Sequence, residues 1–360
     1  MGDVFLEALE LVRFRNYSRA KFHFGPEGAT IVGRNGSGKS NLLESISFLA
    51  LGKSIRGAPD SEVAMDGGDG FGIYAKFGGE DEFRISVVYS RGRGKRMNVD
   101  DHPLRRISEL LGKFQVVSFS PEEVHLLLRS PAGRRRLLDM LLSQVGGYVW
   151  YWQRYRRALL HRNRLLSEGK VSRRELKPWD LQIVKFGSEI VRRRKEFVCW
   201  MEEKVKTFYE VLSGGEDLAV LYSPSFPADG DILERFVESL GESTEQERRL
   251  GCTVVGPHRD DLSVRIGGRD LRMASQGQAK SFLLAWKLGE ALFFYERSGR
   301  RPALLMDEVF SDLDSERSKA LAGFLIGKGQ CFVTAISEGE VPGPIRNLRV
   351  IEVGDGRCVP

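Results

Sequence analysis

One glycine-rich segment constrains the fold more than any other feature of the sequence. Residues 33–40 read Gly-Arg-Asn-Gly-Ser-Gly-Lys-Ser and match G-x-x-x-x-G-K-[ST] at every fixed position. An apolar run, Ala29–Val32, precedes the segment, and a helical pattern from Ser40 to about Leu51 follows it. Strand, loop and helix in this order form a phosphate-binding loop, in which backbone N–H groups and a helix N-terminus surround an anion. The segment therefore predicts an α/β fold with a nucleotide site.

Each part of this loop has an expected role in binding ATP. Lys39 would reach the β- and γ-phosphates, and the hydroxyl of Ser40 would bind Mg²⁺. An ordinary glycine turn is the alternative interpretation, and the matching strand and helix on either side argue against it. The residues expected to contact the nucleotide are Gly33, Arg34, Asn35, Gly36, Ser37, Gly38, Lys39 and Ser40.

A second group of candidate site residues follows another apolar run. Ala303–Met306 is typical of a parallel strand that is buried on both faces. Asp307 and Glu308 come directly after it, at the strand end where α/β folds place ligands. We expect Asp307 to hold Mg²⁺, directly or through water, and Glu308 to be the base that orients an attacking water. A polar cap on a core strand is the alternative.

A serine–glycine element helps to separate classes of ATPase. Residues 275–278 read Ser-Gln-Gly-Gln and precede a helical pattern, which alone would indicate a capping box. Their position about 30 residues before Asp307 resembles the order in ABC-type ATPases, where such an element faces the γ-phosphate bound to the opposite subunit. This resemblance implies a homodimer that forms around ATP. The residues implied in the contact are Ser275, which joins Lys39 and Glu308 as a catalytic candidate, Gly277, Gln278, and Asp312 in a D-loop-like segment.

The basic charge of the chain is concentrated in its helical middle. At 360 residues, 41% of them hydrophobic, the chain is long enough for two or more cores. Residues 119–206 hold 20 Lys and Arg against 10 Asp and Glu, a net of +10, which leaves −4 for the rest of the +6 chain. We predict an ATPase head of residues 1–118 and 207–360 and an inserted helical arm of residues 119–206. Valines at 184, 191, 198 and 205 recur as in a short coiled coil.

A basic arm predicts a polyanionic partner. Lys and Arg neutralise phosphates and release counterions, so binding to DNA would be insensitive to sequence and sensitive to salt. A solvated helix face is the alternative. Trp150, Trp152 and Tyr155 could stack on bases, although their helical spacing favours core packing. The candidate DNA contacts are Arg192, Arg193, Arg194, Lys195, Arg156 and Arg157.

Cysteine usage and hydropathy indicate the compartment. Cys199, Cys252, Cys331 and Cys358 lie far apart and form no C-x-x-C pair, which indicates neither a zinc site nor a disulfide framework. A reducing cytoplasmic setting fits this pattern. No apolar run approaches the ~20 residues that span a bilayer, so we expect no membrane partner.

These elements together resemble the RecF family of bacterial recombination mediators, whose ATPase heads are related to those of Rad50 and SMC proteins. The similarity runs nearly from end to end and implies an ABC-ATPase core of mixed sheets with the inserted arm. The segments that carry it are Phe14–Tyr17, Asn41–Glu44, Ser54–Arg56, Ser120–Glu123, the helix with Arg134–Arg136 and Asp139, Arg162–Asn163, and Gly256–Asp261.

The resemblance has further implications and some departures. By analogy with related heads, Arg15 and Asn16 would contact the nucleotide. The family often has Asp where this chain has Glu308, and residues 334–336 read Thr-Ala-Ile where transporters carry a switch histidine. No Q-loop glutamine is evident after Phe119. These losses suggest slow hydrolysis. Roles for His258 and Arg259 in a site or in the core stay open.

The resemblance also implies a function. ATP would join two heads on duplex or gapped DNA, at junctions of single and double strands, and slow DNA-stimulated hydrolysis would release them. RecO and RecR would be partners, and RecA would be loaded on single-stranded gaps during repair and at replication forks. The alternatives are the ATPase subunit of a transporter, a DNA-binding scaffold in which ATP is structural, and a metabolic P-loop kinase.

Overall fold

The computed structural model describes residues 3–169, 172–354 and 357–359. The strands are β1 (Phe5–Phe14), β2 (Tyr17–His23), β3 (Gly28–Val32), β4 (Gly70–Gly78), β5 (Phe83–Ser90), β6 (Gly94–Val99), β7 (His102–Pro103), β8 (Val116–Phe119), β9 (Leu218–Ser223), β10 (Asp261–Ile266), β11 (Arg269–Asp270), β12 (Ala303–Met306), β13 (Cys331–Ala335), β14 (Arg349–Gly354) and β15 (Arg357–Val359). The α-helices are α1 (Lys39–Leu51), α2 (Asp60–Val63), α3 (Pro121–Arg129), α4 (Pro131–Ser143), α5 (Tyr148–Ser167), α6 (Arg173–Ser213), α7 (Ile232–Glu242), α8 (Thr244–Leu250), α9 (Gln276–Ser298), α10 (Ser315–Leu325) and α11 (Gly343–Arg346).

The chain forms two compact units. Unit 1 comprises residues 1–124, 207–215 and 275–360, and unit 2 comprises residues 125–206 and 216–274. In the part of the chain that the structure describes, no helix combines the length and apolar character needed to cross a bilayer.

An antiparallel sheet forms one layer of unit 1, with strand order β2-β1-β4-β5-β6-β7. One face is apolar because alternate residues of each strand are hydrophobic. Phe14 and Phe71 on this face meet Phe48 of α1 edge to face, with ring centroids 5.9 and 5.6 Å from Phe48. The helix that follows the glycine-rich loop is therefore clamped against this sheet.

A second sheet of unit 1 carries the candidate site, with strand order β15-β14-β3-β13-β12-β8. The five strands from β14 to β8 run parallel, and β15 is antiparallel at the edge. Every residue of β3, β8, β12 and β13 is buried, as expected for parallel strands covered on both faces. The carboxyl ends of β3, β12 and β13 consequently lie side by side, and the loops that follow them share one edge.

Unit 2 combines helices with a small antiparallel sheet, β11-β10-β9. Its largest buried polar groups are arginines. Arg134 of α4 forms two hydrogen bonds of 2.7 Å to Asp261 at the start of β10. Arg162 of α5 is 1% exposed and donates to the buried Glu247 of α8. Paired charges of this kind fix the relative placement of α4, α5, α8 and β10 within the unit.

The boundary of the inserted unit differs from the sequence prediction. We predicted that residues 207–360 belong to the head, whereas residues 216–274 cluster with 125–206. The physical reason lies in partners that are distant in sequence, since Asp261 pairs with Arg134 and Glu247 with Arg162. The repeating valines at 184, 191, 198 and 205 are all buried, in line with the seam-like spacing.

Candidate nucleotide site

The glycine-rich loop connects β3 to α1 in a backbone conformation that requires glycine. Gly36 and Gly38 have φ values of 81° and 112°, which side chains with a Cβ rarely adopt. A Cβ on Gly38 would also lie 2.7 Å from the amide nitrogen of Asn16. Ser37 is buried, and its Oγ has no hydrogen-bond partner among the described residues. An unsatisfied hydroxyl inside such a loop is a group that a ligand can satisfy.

Lys39 connects this loop to the second group of site residues. Its side chain is only 3% exposed, and its Nζ donates to the carbonyl oxygens of Gly33 (2.8 Å) and Arg34 (3.3 Å). The same Nζ lies 3.6 Å from Oε1 of Glu308. The structure thus brings together the lysine and the candidate base that the sequence predicted on separate segments.

Asp307 is the centre of a hydrogen-bonded group at the ends of β12 and β13. Its Oδ1 accepts from the hydroxyls of Ser40 (2.9 Å) and Thr334 (2.7 Å). The hydroxyl of Thr334 in turn accepts from the backbone N–H of Glu308 (2.8 Å). Burial raises the pKa of Asp307 above its ordinary value. Thr334, which sequence analysis noted only as standing where a histidine was absent, therefore orders both acidic residues.

The donor set fits Mg²⁺. Mg²⁺ prefers hard oxygen ligands and is usually bound by one or two carboxylates together with substrate phosphates. Asp307 and Ser40 offer a carboxylate and a hydroxyl oxygen at 2.9 Å from each other. No cluster of three or more His, Cys, Asp or Glu side chains suited to a metal occurs among the described residues.

Glu308 has a strained backbone. Its φ of 45° lies in the left-handed region, which costs a residue with a Cβ about 1 kcal/mol. Its side chain is 37% exposed, so the carboxylate can reach a solvent molecule. Besides Thr334, Ser311 holds the turn, since its N–H and hydroxyl both donate to the carbonyl of Glu308. The strain is thus maintained by specific bonds at a candidate catalytic position.

Arg15 and Asn16 lie beside the loop in different ways. The amide of Asn16 donates to the carbonyl of Ser37 at 3.0 Å, so this residue supports the loop directly. The guanidinium of Arg15 forms two bonds, of 2.9 and 3.0 Å, to the fully buried Glu44 of α1. A nucleotide contact from Arg15 stays a prediction, and in this structure its guanidinium anchors α1. Sequence analysis gave no role to Tyr17, whose hydroxyl donates to the carbonyl of Gly38 at 2.9 Å.

The serine–glycine element caps α9. Ser275 Oγ accepts from the N–H of Gln278 (3.1 Å), and the Gln278 side chain accepts from the N–H of Ser275 (2.9 Å). The local interpretation as a capping box is therefore present in the structure. Gly277 is exposed, and a Cβ there would meet no atom closer than 3.9 Å. Packing within the chain does not demand this glycine, so a contact across a dimer stays the prediction for it.

The D-loop-like segment is joined to the same helix. Asp312 is exposed and has a φ of 60°, which makes it the second non-glycine residue of this turn with left-handed backbone, after Glu308. The ammonium of Lys280, in α9, donates to the carbonyl oxygen of Ser311. A displacement of the first turns of α9 would therefore move the turn that carries Glu308.

Comparison with known proteins identifies the family of this chain. The family model described as RecF/RecN/SMC N terminal domain matches residues 5–357. The DNA replication and repair protein RecF of Moorella thermoacetica is 36% identical, covering 99% of this chain and 97% of that protein. The chain belongs to the RecF family. The protein of the same name from Heliobacterium modesticaldum is 37% identical over 91% of each chain.

Solved structures agree with the assignment to the RecF family. The structure described as the recombination mediator protein RecF-ATP in the RecFOR pathway superposes with a TM-score of 0.90 at 30% identity, covering 99% of this chain and 97% of that one. A Smc head domain from Pyrococcus furiosus gives a TM-score of 0.57 at 18% identity and shares the fold alone. The predicted ABC-ATPase, SMC-head-like fold class is confirmed.

The arm residues that the sequence offered as DNA contacts of this RecF-family chain fall into three groups. Arg194 is fully buried and bonds to Asp139, Tyr148 and the carbonyl of Pro257. This corrects the expectation that it reaches DNA, because a buried guanidinium has no surface for a phosphate. Arg192 and Arg193 are paired with Glu189, Arg192 also with Glu196, and Lys195 donates to the carbonyl of Ala228 at 2.7 Å. Exposed side chains without a described acidic partner remain at Arg156 and Arg157.

The family element at residues 256–261 is part of the core of unit 2. His258 lies 2.6 Å from the hydroxyl of Tyr155 and 3.0 Å from the carbonyl of Thr253, and burial lowers its pKa to about 4. The carbonyl of Thr253 also accepts from Arg259 at 3.3 Å. Tyr155 is fully buried, so core packing rather than base stacking is its role. His258 is therefore held by internal hydrogen bonds, whereas Arg259 is exposed, and a role for Arg259 in a site stays open.

Proposed function

We propose that this RecF-family chain binds ATP with Mg²⁺ and that ATP joins two copies into a clamp on DNA, which slow hydrolysis reopens. The observation that carries the proposal is the single connected group in which Lys39, Glu308, Asp307 and Ser40 meet at one sheet edge. Relatives named for DNA replication and repair, and the structure of RecF with ATP, support the nucleotide and the process.

The residues of the site have separable roles. Ser40 and Asp307 would hold Mg²⁺, which supplies positive charge against the phosphates when it is bound. Lys39 would contribute a second cation from inside the loop, and the backbone of Gly33–Gly38 would donate hydrogen bonds. Glu308, partly exposed and held by Thr334, would accept a hydrogen bond from the attacking water and orient it.

The exposed cap of α9 supports the proposed dimerisation. Ser275, Gln276 and Gly277 are exposed, and the first N–H groups of α9 form a positive helix end that suits a phosphate. The cap lies outside the hydrogen-bonded group around Asp307, so a second copy would present it to the nucleotide. Gly277 leaves room for that approach.

The biological role is proposed from the relatives. A recombination mediator of the RecFOR pathway would act with RecR and RecO and assist loading of RecA on single-stranded gaps. DNA would be held through its phosphates, which makes binding salt-dependent. Among the candidate contacts in the arm, Arg156 and Arg157 are those that the structure leaves exposed without a described acidic partner.

Two experiments test the proposal. The first measures the mass of the protein in solution with Mg–ATP, with Mg–ADP and without nucleotide, each with and without gapped DNA. A dimer with Mg–ATP is expected, and Ser275→Arg should abolish it because the new side chain blocks the cap. Ser167→Arg, at an exposed serine at the end of α5, is the matched control and should dimerise as the parent does. A monomer with Mg–ATP at high concentration contradicts the proposal.

The second experiment separates the clamp from a scaffold with structural ATP. Glu308→Gln removes the base and keeps the size of the side chain. A clamp with working chemistry should stay closed on DNA and dissociate far more slowly, whereas a scaffold should dissociate at the rate of the parent. A transporter subunit would show ATP turnover that duplex DNA does not change.

A further inference from the structure

A β-hairpin in unit 1 carries the densest run of unpaired positive charge on that unit. Residues 91–96 comprise the turn after β5 and the first residues of β6; they read Arg-Gly-Arg-Gly-Lys-Arg and include no acid. Lys95 is neutralised by Asp60 at 2.8 Å. Arg91, Arg93 and Arg96 are exposed, and none has a carboxylate within salt-bridge distance among the described residues.

The strands extend this charge across one face of the antiparallel sheet. In the register of the sheet, Arg96 of β6 lies opposite Val88 of β5. Val88 is four residues after Arg84 on the same strand, and residues separated by an even number point to the same face, so Arg84 and Arg96 share a face of the sheet. This is the face opposite to the buried side of Ile85 and Val87. We name the set the hairpin face: Arg19, Lys21, Arg84, Arg91, Arg93 and Arg96.

The acids on this face do not balance its cations. Glu10 is shared by Arg19 and Lys21, at 2.8 and 3.3 Å. Asp101 lines the far end of the shallow groove that runs over the face. The carboxylate of Asp100 accepts from the backbone N–H of Arg84 at 2.8 Å. Six cations therefore stand against three carboxylates. By composition unit 2 holds 27 Lys and Arg against 20 Asp and Glu, a net of +7, which leaves −1 for unit 1 of the +6 chain. The hairpin face is thus a local basic patch on a unit without basic excess.

We propose that the hairpin face binds the phosphate backbone of nucleic acid, as a contact surface of unit 1 that is separate from the arm. The inference rests on the proposed function as a DNA clamp. Gly92 and Gly94, with φ values of 87° and 74°, keep the hairpin tip free of bulk, so phosphates can approach its backbone. Tyr74, 43% exposed on the same face, offers a ring on which an unpaired base can stack.

Nucleic acid fits this surface better than a protein does. Protein interfaces place aromatic and aliphatic side chains at their centre and exclude charge from it. The tip at residues 91–94 consists of arginine and glycine alone, and the sheet beside it exposes cations. Short segments rich in Lys and Arg are typical of nucleic-acid contacts, which need no apolar centre because counterion release drives them.

The test compares three variants by fluorescence anisotropy with labelled duplex, single-stranded and gapped DNA, in Mg–ATP, from 50 to 200 mM salt. Arg91→Ala/Arg93→Ala/Arg96→Ala removes three cations from the face. Each phosphate contact contributes about 0.9 to the slope of log affinity against log salt, so the slope should fall by about 2.7. Between 50 and 200 mM salt, the affinity of the parent for DNA should therefore fall by a factor ~40 times larger than the factor by which the affinity of the variant falls.

Two matched variants isolate the cause. Lys113→Ala/Lys319→Ala/Lys328→Ala removes three exposed cations of unit 1 elsewhere and should keep the slope of the parent. Changing the three arginines to lysine keeps the charge and should keep the slope to within about 1. The relative loss on duplex and on single-stranded DNA tells which form the face holds.

The outcomes are separable from those of the proposed function. Dimerisation and ATP turnover without DNA should be unchanged in the alanine variant, because no hairpin residue lies in the nucleotide site. If the alanine variant has the same salt slope as the control variant, the proposal that the hairpin face binds nucleic acid is wrong, and the proposed clamp is unaffected. An acidic protein surface would then be the remaining class of partner for the face. A lysine variant as weak as the alanine variant overturns the role of charge. A parent that dimerises with ATP and binds no DNA overturns both proposals.

Discussion

Replacing Thr334 with valine is the most direct test of how the site is held. The substitution keeps the branched shape of a side chain that is 1% exposed and removes only its hydroxyl. That hydroxyl donates to Asp307 at 2.7 Å and accepts from the N–H of Glu308 at 2.8 Å. Thr334→Ser, which keeps the hydroxyl and loses a methyl group, is the matched control.

The expected size of the effect follows from these two bonds. A hydrogen bond to a charged group contributes about 1.5–3 kcal/mol and a neutral one about 0.5–1.5 kcal/mol, so the variant should lose about 2–4 kcal/mol. Unit 1 has about 220 residues, for which the entropy of unfolding is about 0.46 kcal/mol/K, and the Tm of that unit should fall by about 4–9 °C. Glu308 also loses its anchor, and about 1.4 kcal/mol of lost positioning lowers kcat about tenfold.

Calorimetry and a steady-state assay of Mg–ATP turnover measure the two effects. The serine control should lose about 1 kcal/mol for its buried methyl group and retain turnover within about threefold. If the valine variant unfolds at the temperature of the parent and hydrolyses ATP at its rate, the hydroxyl of Thr334 does not order Asp307 and Glu308, and other groups must hold the two carboxylates.

Three other substitutions test the packing within each of the two units. Arg162→Ala, which leaves a buried carboxylate without its cation, should lower the free energy of unfolding by about 3–5 kcal/mol in denaturant titrations, whereas Arg164→Ala, at an exposed pair, should change it by less than about 1 kcal/mol. Equal effects would contradict the ranking by burial. The pKa of His258 is about 4 in the folded chain and 6.5 in the unfolded chain, so as the pH falls the unfolded chain binds the proton first. The free energy of unfolding should therefore decrease between pH 6.5 and pH 4, by about 3 kcal/mol more in the parent than in His258→Gln. Parallel pH profiles would refute this. Gly28→Ala should lower the Tm by several degrees, because its Cβ would lie 1.9 Å from a carbonyl oxygen of β13, whereas Gly343→Ala, in open space, should leave it unchanged.

The parts of the site that sequence predicted are those set by local spacing. The loop needs only the strand before it and the helix after it, so residues 33–40 were sufficient to predict β3 and α1. The expected strand at residues 303–306 matches β12, because an apolar run followed by acids is a local signal as well. Thr334 escaped prediction since its role depends on register: β13 pairs with β12 so that Val333 lies opposite Met306, which sets Thr334 beside Asp307.

Sequence could not separate arginines that look alike. Arg156 and Arg162 lie on the same helix, yet one is exposed and the other is 1% exposed against Asp180 and Glu247. Whether a cation is free depends on acids from other segments, 18 residues away for Asp180 and 85 for Glu247, and no local pattern encodes those distances. For the same reason the prediction placed residues 216–274 in the head, although their acids satisfy the cations of the arm.

The buried arginines of unit 2 have a common physical role. Arg134, Arg162 and Arg194 each bond to two or more oxygens, and their partners include Asp139, Glu247 and Asp261. Removing one member of such a buried network leaves an uncompensated charge, which is why the members must be retained together. An arginine that is buried and bonded to internal oxygens cannot also bind DNA. The +10 of residues 119–206 therefore overstates the phosphate-binding capacity of the arm. The salt dependence of DNA binding should reflect only the exposed cations, among them Arg156 and Arg157 of the arm and the arginines of the hairpin face.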